Sequence, residues 1–291
     1  MTTERYINPF TDFGFKKIFG EEPNKDLLID FLNSVLKDEK VKDLQYMSTE
    51  RLGGAFTDRK VVYDLFCENE RGEKFIVEMQ KAKQKYFKDR SVFYSTFPIQ
   101  QQALKGDWNF ELKAVYTIGI LDFIYDENKD NKEYFHREVK LMDVNRKEVF
   151  YEKLTYYYFE MPKFNKDINQ LETRFEKWLY VLKNLPRLEN YPQALQDKLF
   201  EKLFKIAEIS KFNPAEKTAY EDSLKTYRDI NNVIHTAFDE GKIEGKIEGK
   251  IEGKIEGKIE IAKLMKASGE TLEKIMLFTG LTKGEIDELR G

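Results

Sequence analysis

An α/β core followed by a helical C-terminal region is the architecture this sequence predicts. Three observations carry it. Strand-like runs at 61–68 (VVYDLFCE), 74–80 (KFIVEMQ) and 114–121 (AVYTIGIL) interrupt helical patterning in the first half of the chain. From about Glu172 the apolar residues recur at helical spacing. The resulting order of helix, strands, helix, strand and then helices belongs to an α/β core with appended helices.

The elements follow in turn. An aromatic stretch, NPFTDFGFKKIFG, opens the chain, its phenylalanines serving packing. Between Asn24 and Leu36, residues Leu27, Leu28, Phe31, Leu32, Val35 and Leu36 recur at three and four, which predicts an amphipathic helix capped by Asn24. The runs 61–68 and 74–80 predict a hairpin, with Asn69, Glu70, Arg71 and Gly72 supplying turn chemistry. Residues 84–105 predict a helix disturbed near Pro98. The run 114–121, apolar nearly throughout, predicts a buried strand. Two more strands are expected within 135–161 as an antiparallel extension of the same sheet. Stripes at Trp178, Leu179, Leu182 and Leu185, and at Leu199, Leu203, Phe204 and Ile206, predict two helices, with a long one over 214–238.

Composition narrows the function. The chain has 291 residues, a net charge of −3, two histidines and one cysteine. Two histidines argue against His-rich zinc sites and most catalytic triads. Cys67 alone cannot form an intrachain disulfide and fits a reducing, cytoplasmic setting, where a small core role is expected for it. No apolar run approaches membrane-spanning length, so no membrane association is expected. With a slightly acidic balance, any contact with nucleic acid must use local positive charge.

Residues 241–260 are five perfect copies of Gly-Lys-Ile-Glu. Five glycines cost about 1 kcal/mol each in a helix, and the period stacks Lys over Lys and Glu over Glu. The isolated segment should therefore be a poor helix. Yet Ile243, Ile247, Ile251, Ile255 and Ile259 form one stripe that a partner helix could bury, which favours an association-dependent helix over a free linker. Beyond it, Gly269, Gly280 and the capping box Thr282–Glu285 divide 261–291 into a small helical unit. Acidic residues on its last helix favour a capping or dimer-forming bundle over a DNA reader. The expected organisation is a core over 1–165, a helical region over 166–240, the repeat over 241–260 as helix or linker, and the unit over 261–291.

The chemistry gathers on the hairpin. If it turns around Glu70–Arg71–Gly72, Asp64 lies opposite Glu78, and Gln80 shares their face. Val61, Tyr63, Leu65, Cys67, Phe75, Val77 and Met79 are then expected together on the other, core-facing side. Opposed like charges destabilise a sheet. A divalent cation would resolve the repulsion, and an all-oxygen pair suits Mg²⁺, Mn²⁺ or Ca²⁺. An exposed rim carrying ordinary acidic residues is the competing reading. Downstream, Lys81, Lys83, Lys85, Lys88 and Arg90 form a basic run able to hold phosphates, or simply a solvated face.

Asp64, thirteen intervening residues and Glu78-Met79-Gln80 resemble the D…E-x-Q form of the PD-(D/E)XK motif. Together with PFTDFGFKKIFG at 9–20, RKVVYDLF at 59–66 and the C-terminal EIAKLMKASGETLEKIMLFTGLTKGEIDEL with its Gly-x-x-Glu repeats, the chain resembles the Rpn family of recombination-promoting nucleases and transposase-like proteins. The resemblance is strongest over the first 125 residues and the last 50. It implies a PD-(D/E)XK-like mixed sheet flanked by helices and a metal-dependent DNA endonuclease acting in recombination, transposition or defence against foreign DNA. Asp64 and Glu78 become metal ligands, and Gln80 takes the position that lysine holds in the wider superfamily. That departure leaves the lysine's role unfilled. Lys81 is a poor substitute, since it should point to the opposite strand face. Tyr63 stands where the superfamily name has proline. Asp12 and Lys16 match the family's N-terminal motif: Asp12 would add a carboxylate to the site or pair with Lys16 across one helical turn. The partners expected are DNA and further copies of the chain, joined through the C-terminal helices and repeat. A catalytically weak nucleic-acid-binding oligomer and an RNA-directed defence nuclease are the alternatives.

Overall fold

A computed structural model describes residues 4–36, 40–51, 61–103, 109–124 and 134–289, and the structural statements below concern those residues. The chain divides into two units, 1–231 and 232–291.

Helix α1 (Asp12–Phe19) starts where the Thr11 hydroxyl accepts the Gly14 N–H at 2.9 Å. Gly14 is required there, because a Cβ would lie 2.1 Å from the Asn8 carbonyl oxygen. Helix α2 (Lys25–Val35) buries Leu27, Leu28, Phe31, Leu32 and Val35, as their spacing predicts. Asn24 precedes it but makes no side-chain cap. Its amide donates instead to the Lys17 carbonyl and to Glu21, tying α2 back to α1.

Strands β1 (Leu44–Tyr46), β2 (Glu50–Arg51), β3 (Val61–Val62), β4 (Leu65–Asn69) and β5 (Lys74–Gln80) follow. The turn between β4 and β5 is closed by the Asn69 side-chain oxygen, which accepts the backbone N–H groups of Arg71 and Glu73, while Gly72 takes φ +80°. Helix α3 (Phe87–Gln100) starts three residues later than its pattern suggests and carries Pro98 in its last turn. Proline supplies no N–H to extend the ladder, and the helix stops two residues on. Strands β6 (Val115–Leu121), β7 (His136–Asp143) and β8 (Glu148–Glu160) complete the sheet.

The main sheet has six strands in the order β1-β4-β5-β6-β8-β7, and β2 with β3 forms a separate ribbon. It is mixed: β5, β6 and β8 run parallel, and both flanks are antiparallel. The expected antiparallel extension is thus half right. β7 pairs antiparallel with β8, but β8 returns parallel to β6.

Both sheet faces are covered. On one, Cys67, Phe75, Val77, Met79, Ile118, Ile120 and Phe159 join α1, α2, α4 (Arg174–Asn184) and α5 (Lys198–Ile206) in the principal core. On the other, α3 lies over Phe66, Ile76, Tyr156 and Tyr158. Burial pushes the Cys67 thiol up to about 12, so it is an inert core group at neutral pH.

Helix α6 (Pro214–Ala267) runs unbroken through all five repeats. Its first turns belong to the first unit, where Tyr220 is buried and donates to Glu4 while accepting the Asn8 N–H. In the second unit Ile243, Ile247, Ile251 and Ile255 remain 48–61% exposed. The end of α6, with α7 (Leu272–Thr279) and α8 (Lys283–Glu288), encloses a small core of Ala262, Ile275, Leu281 and Ile286. Gly280 takes φ +68° after α7, and Thr282 and Glu285 form the expected capping box. Among the described residues no helix is long and apolar enough to cross a membrane.

Candidate active site

The hairpin register is the one the turn predicts. Leu65 pairs with Val77, Phe66 with Ile76 and Cys67 with Phe75, so continuing by one residue places Asp64 opposite Glu78. The run 61–68 is not one strand, however. It breaks at Tyr63 and Asp64, and β3 leaves the main sheet to pair with β2. The break changes the faces. Val61 and Tyr63 pack with Phe66 and Ile76 beneath α3, not with Leu65 and Cys67 as strict alternation requires. The Tyr63 hydroxyl donates to the Tyr94 carbonyl at 3.0 Å, fastening the break to α3.

That bend lets the Asp64 carboxylate turn back onto β5. Its Oδ2 accepts the Met79 N–H at 2.8 Å, while the Asp64 N–H donates to Glu78 Oε1 at 3.3 Å. The two carboxylates are thus interlocked through the backbone N–H groups of Met79 and Asp64. Glu78 and Gln80 are 9% and 8% exposed, which rules out the exposed-rim reading. Beside them in β6, Gly119 pairs with Glu78. A Cβ there would meet the Tyr158 ring at 2.9 Å, so glycine lets the Tyr158 ring lie close beside β6.

The electrostatics are those of a buried acid, Glu78, beside a half-buried one, Asp64. Burial first, and then the Asp64 charge, push the Glu78 carboxyl well above the usual carboxylate range. Burial also raises Asp64, with the Met79 N–H opposing it; Asp12 adds to the rise, and Lys16 and Lys81 reduce it. Among the described residues neither carboxylate is ion-paired. A hard divalent cation suits such a donor set of carboxylate oxygens. Among the same residues no three acidic, histidine or cysteine side chains converge as a ready-made cage, so water and substrate oxygens would complete the shell.

The remaining sequence candidates separate. Asp12 and Lys16 form an i,i+4 ion pair at 3.1 Å, and with Asp64 they line a cleft of about 370 Å³. Ala219 and Ser223 of α6 line it too, a contribution the sequence does not signal because only the fold brings α6 there. Lys81 lies just beyond the end of β5. The strand ends at Gln80, alternation no longer applies, and its charge is felt at Asp64. Lys83, Lys85 and Lys88 are exposed on the loop before α3 and on its first turn. Arg90 departs from this group: its Nη2 donates to Gln80 Oε1, and Gln80 Nε2 donates to Glu78 Oε2 at 3.1 Å.

With this geometry in place, the family comparison is decisive. PD-(D/E)XK nuclease family transposases match residues 9–237. The chain belongs to that family. The match runs from the start of the aromatic N-terminal motif into α6, so it takes in the whole mixed sheet and every candidate site residue. Membership in a PD-(D/E)XK nuclease family supports nuclease-related chemistry, and the family's usual dependence on divalent metal agrees with a carboxylate pair set together largely out of solvent. No curated protein and no solved structure matches the chain.

Proposed function

We propose that the protein is a metal-dependent DNA endonuclease, serving recombination, transposition or defence against foreign DNA. The observation that carries this reading is the pair of half-buried Asp64 and buried Glu78, held together by backbone hydrogen bonds with no ion-pairing cation among the described residues. A bound Mg²⁺ or Mn²⁺ would lower the pKa of a bound water and draw charge from a phosphodiester oxygen. The chain supplies the rest. Asp64 and Glu78 present oxygen ligands, and Gln80 steadies Glu78 through its amide. Lys83, Lys85 and Lys88 stand in solvent next to the site, where they can engage flanking phosphates. Asp12 and Lys16 border the cleft as a balanced pair, which suits orientation of Asp64 better than metal ligation.

Association through the repeat completes the proposal. In each Gly-Lys-Ile-Glu copy on a helix, the isoleucine stripe is flanked by lysines on one side and glutamates on the other. A two-fold axis along the helices sets the lysine flank of one copy against the glutamate flank of the next. Reversing one helix sets like charges together. The array therefore favours parallel association of identical chains.

Incubating the purified chain with supercoiled plasmid and with structured RNA, each with Mg²⁺, with Mn²⁺ and with chelator, tests the reading. Nicking or linearisation of the plasmid only with divalent ion is expected. Metal-dependent loss of RNA with intact plasmid would move the activity to RNA, and two untouched substrates would remove it.

A further inference from the structure

The wider superfamily carries a cation two residues beyond the glutamate, whereas Gln80 is neutral. Its amide is nevertheless tied to a charge. Arg90, in the first turn of α3, donates to Gln80 Oε1, and Gln80 Nε2 donates to Glu78 Oε2 at 3.1 Å. A guanidinium has donors only, so it fixes which end of the amide faces which neighbour. With its oxygen turned to Arg90, Gln80 must direct its NH₂ at Glu78. Tyr94, one turn along α3, lies under the guanidinium with its ring centre 5.5 Å away. Tyr94 also accepts the Tyr63 hydroxyl bond that anchors the strand break before Asp64. One turn of α3 thus reaches Glu78 through Gln80 and the break before Asp64 through Tyr63.

We propose that Arg90 is a positioning residue of the active site, which orients Glu78 through Gln80 and moves the site's fixed positive charge from strand β5 to helix α3. This rests on the nuclease reading above, but it makes a claim about the chain that holds without metal or substrate. Arginine suits the role better than lysine would, because its planar fork can hold the amide oxygen while stacking on Tyr94.

Two measurements on the full chain test it. The first needs no activity. In chelator, a double-mutant cycle of Arg90→Met and Gln80→Leu is followed by thermal melting. Coupling is expected: the double variant should melt no lower than the weaker single variant. Shifts that simply add would overturn the proposal. The second separates kcat from KM on plasmid. Arg90→Met should lower kcat about 10–100-fold, the range for groups that orient metal ligands. It should leave KM near its starting value. The Lys83→Ala, Lys85→Ala, Lys88→Ala variant should instead raise KM, and increasingly with salt, as lost phosphate contacts do. Gln80→Lys in the Arg90→Met background returns a cation to the strand and should recover at least about tenfold in kcat, whereas a merely structural arginine would not be replaced in this way. Unchanged kcat in Arg90→Met, or no recovery in the double variant, would contradict the assignment. If the parent chain cuts nothing, the nuclease reading fails while the melting cycle still decides the coupling.

Discussion

Asp64→Ala and Glu78→Ala should each abolish cleavage while the protein remains folded. A metal site contributes several kcal/mol of transition-state charge stabilisation, and every 1.36 kcal/mol is tenfold in rate. Loss of either ligand should therefore cost at least about 10²-fold. Stability needs the gentler variants. Alanine at either position strips acceptors from the Met79 and Asp64 N–H groups, adding a cost unrelated to charge. Glu78→Gln keeps an acceptor and removes the repulsion, so in chelator it should melt at or above the parent. The pH dependence has a definite sign. The folded Glu78 carboxyl is raised by burial and by Asp64. Its protonated form therefore favours folding at low pH, and that contribution is lost as pH rises from the ordinary carboxylate range through the raised value. Melting of metal-free protein should fall over that interval, and Glu78→Gln should flatten the fall. An active alanine variant of either residue would sink the site assignment.

Replacing the five isoleucines of the repeat by serine should lower the mass measured by analytical ultracentrifugation. Four of them are about half exposed or more. A fully buried isoleucine is worth about 1.5–3 kcal/mol. The stripe drifts about 40° per repeat, so a straight contact engages roughly three isoleucines per chain before it winds away. Partial burial of those three still offsets a good part of the glycine cost of about 1 kcal/mol per repeat. Parallel association carries its own signature. An Ile247→Cys chain should form a disulfide with the same position of a second chain, because a two-fold axis along the helices brings identical residues together. Cys67 is buried and will not compete. An unchanged mass and helical signal in the serine variant would leave the array as a helix with no assembly role.

Much of the fold is legible in the sequence because its signals are local. Alternation and turn chemistry fix the hairpin register to the residue, through Asn69 and Gly72. Spacing of three and four gives α2, and the capping box gives α8. What escapes is non-local. The break at Tyr63 and Asp64 arises because β3 finds β2 as a partner, and no pattern within 61–68 announces it. The parallel return of β8 depends on where a crossover lands. At the site, Asp64, Glu78 and Gln80 follow from their register, whereas Arg90 reads as one more member of a basic run. Only packing of α3 against the sheet turns it inward to Gln80. The Ala219 and Ser223 wall of the cleft is hidden for the same reason.

If the interlocked carboxylates form a divalent cation site, thermal melting of chelator-treated protein during a Mn²⁺ or Mg²⁺ titration shows it most directly. Binding to the folded state alone stabilises by RT ln(1 + [L]/Kd), about 2.7 kcal/mol at one hundred times Kd. The melting temperature of the parent should therefore climb with ion concentration, and that of Glu78→Gln should climb far less. Equal responses in the two proteins, or no response in the parent up to millimolar ion, would show that Asp64 and Glu78 do not hold the metal.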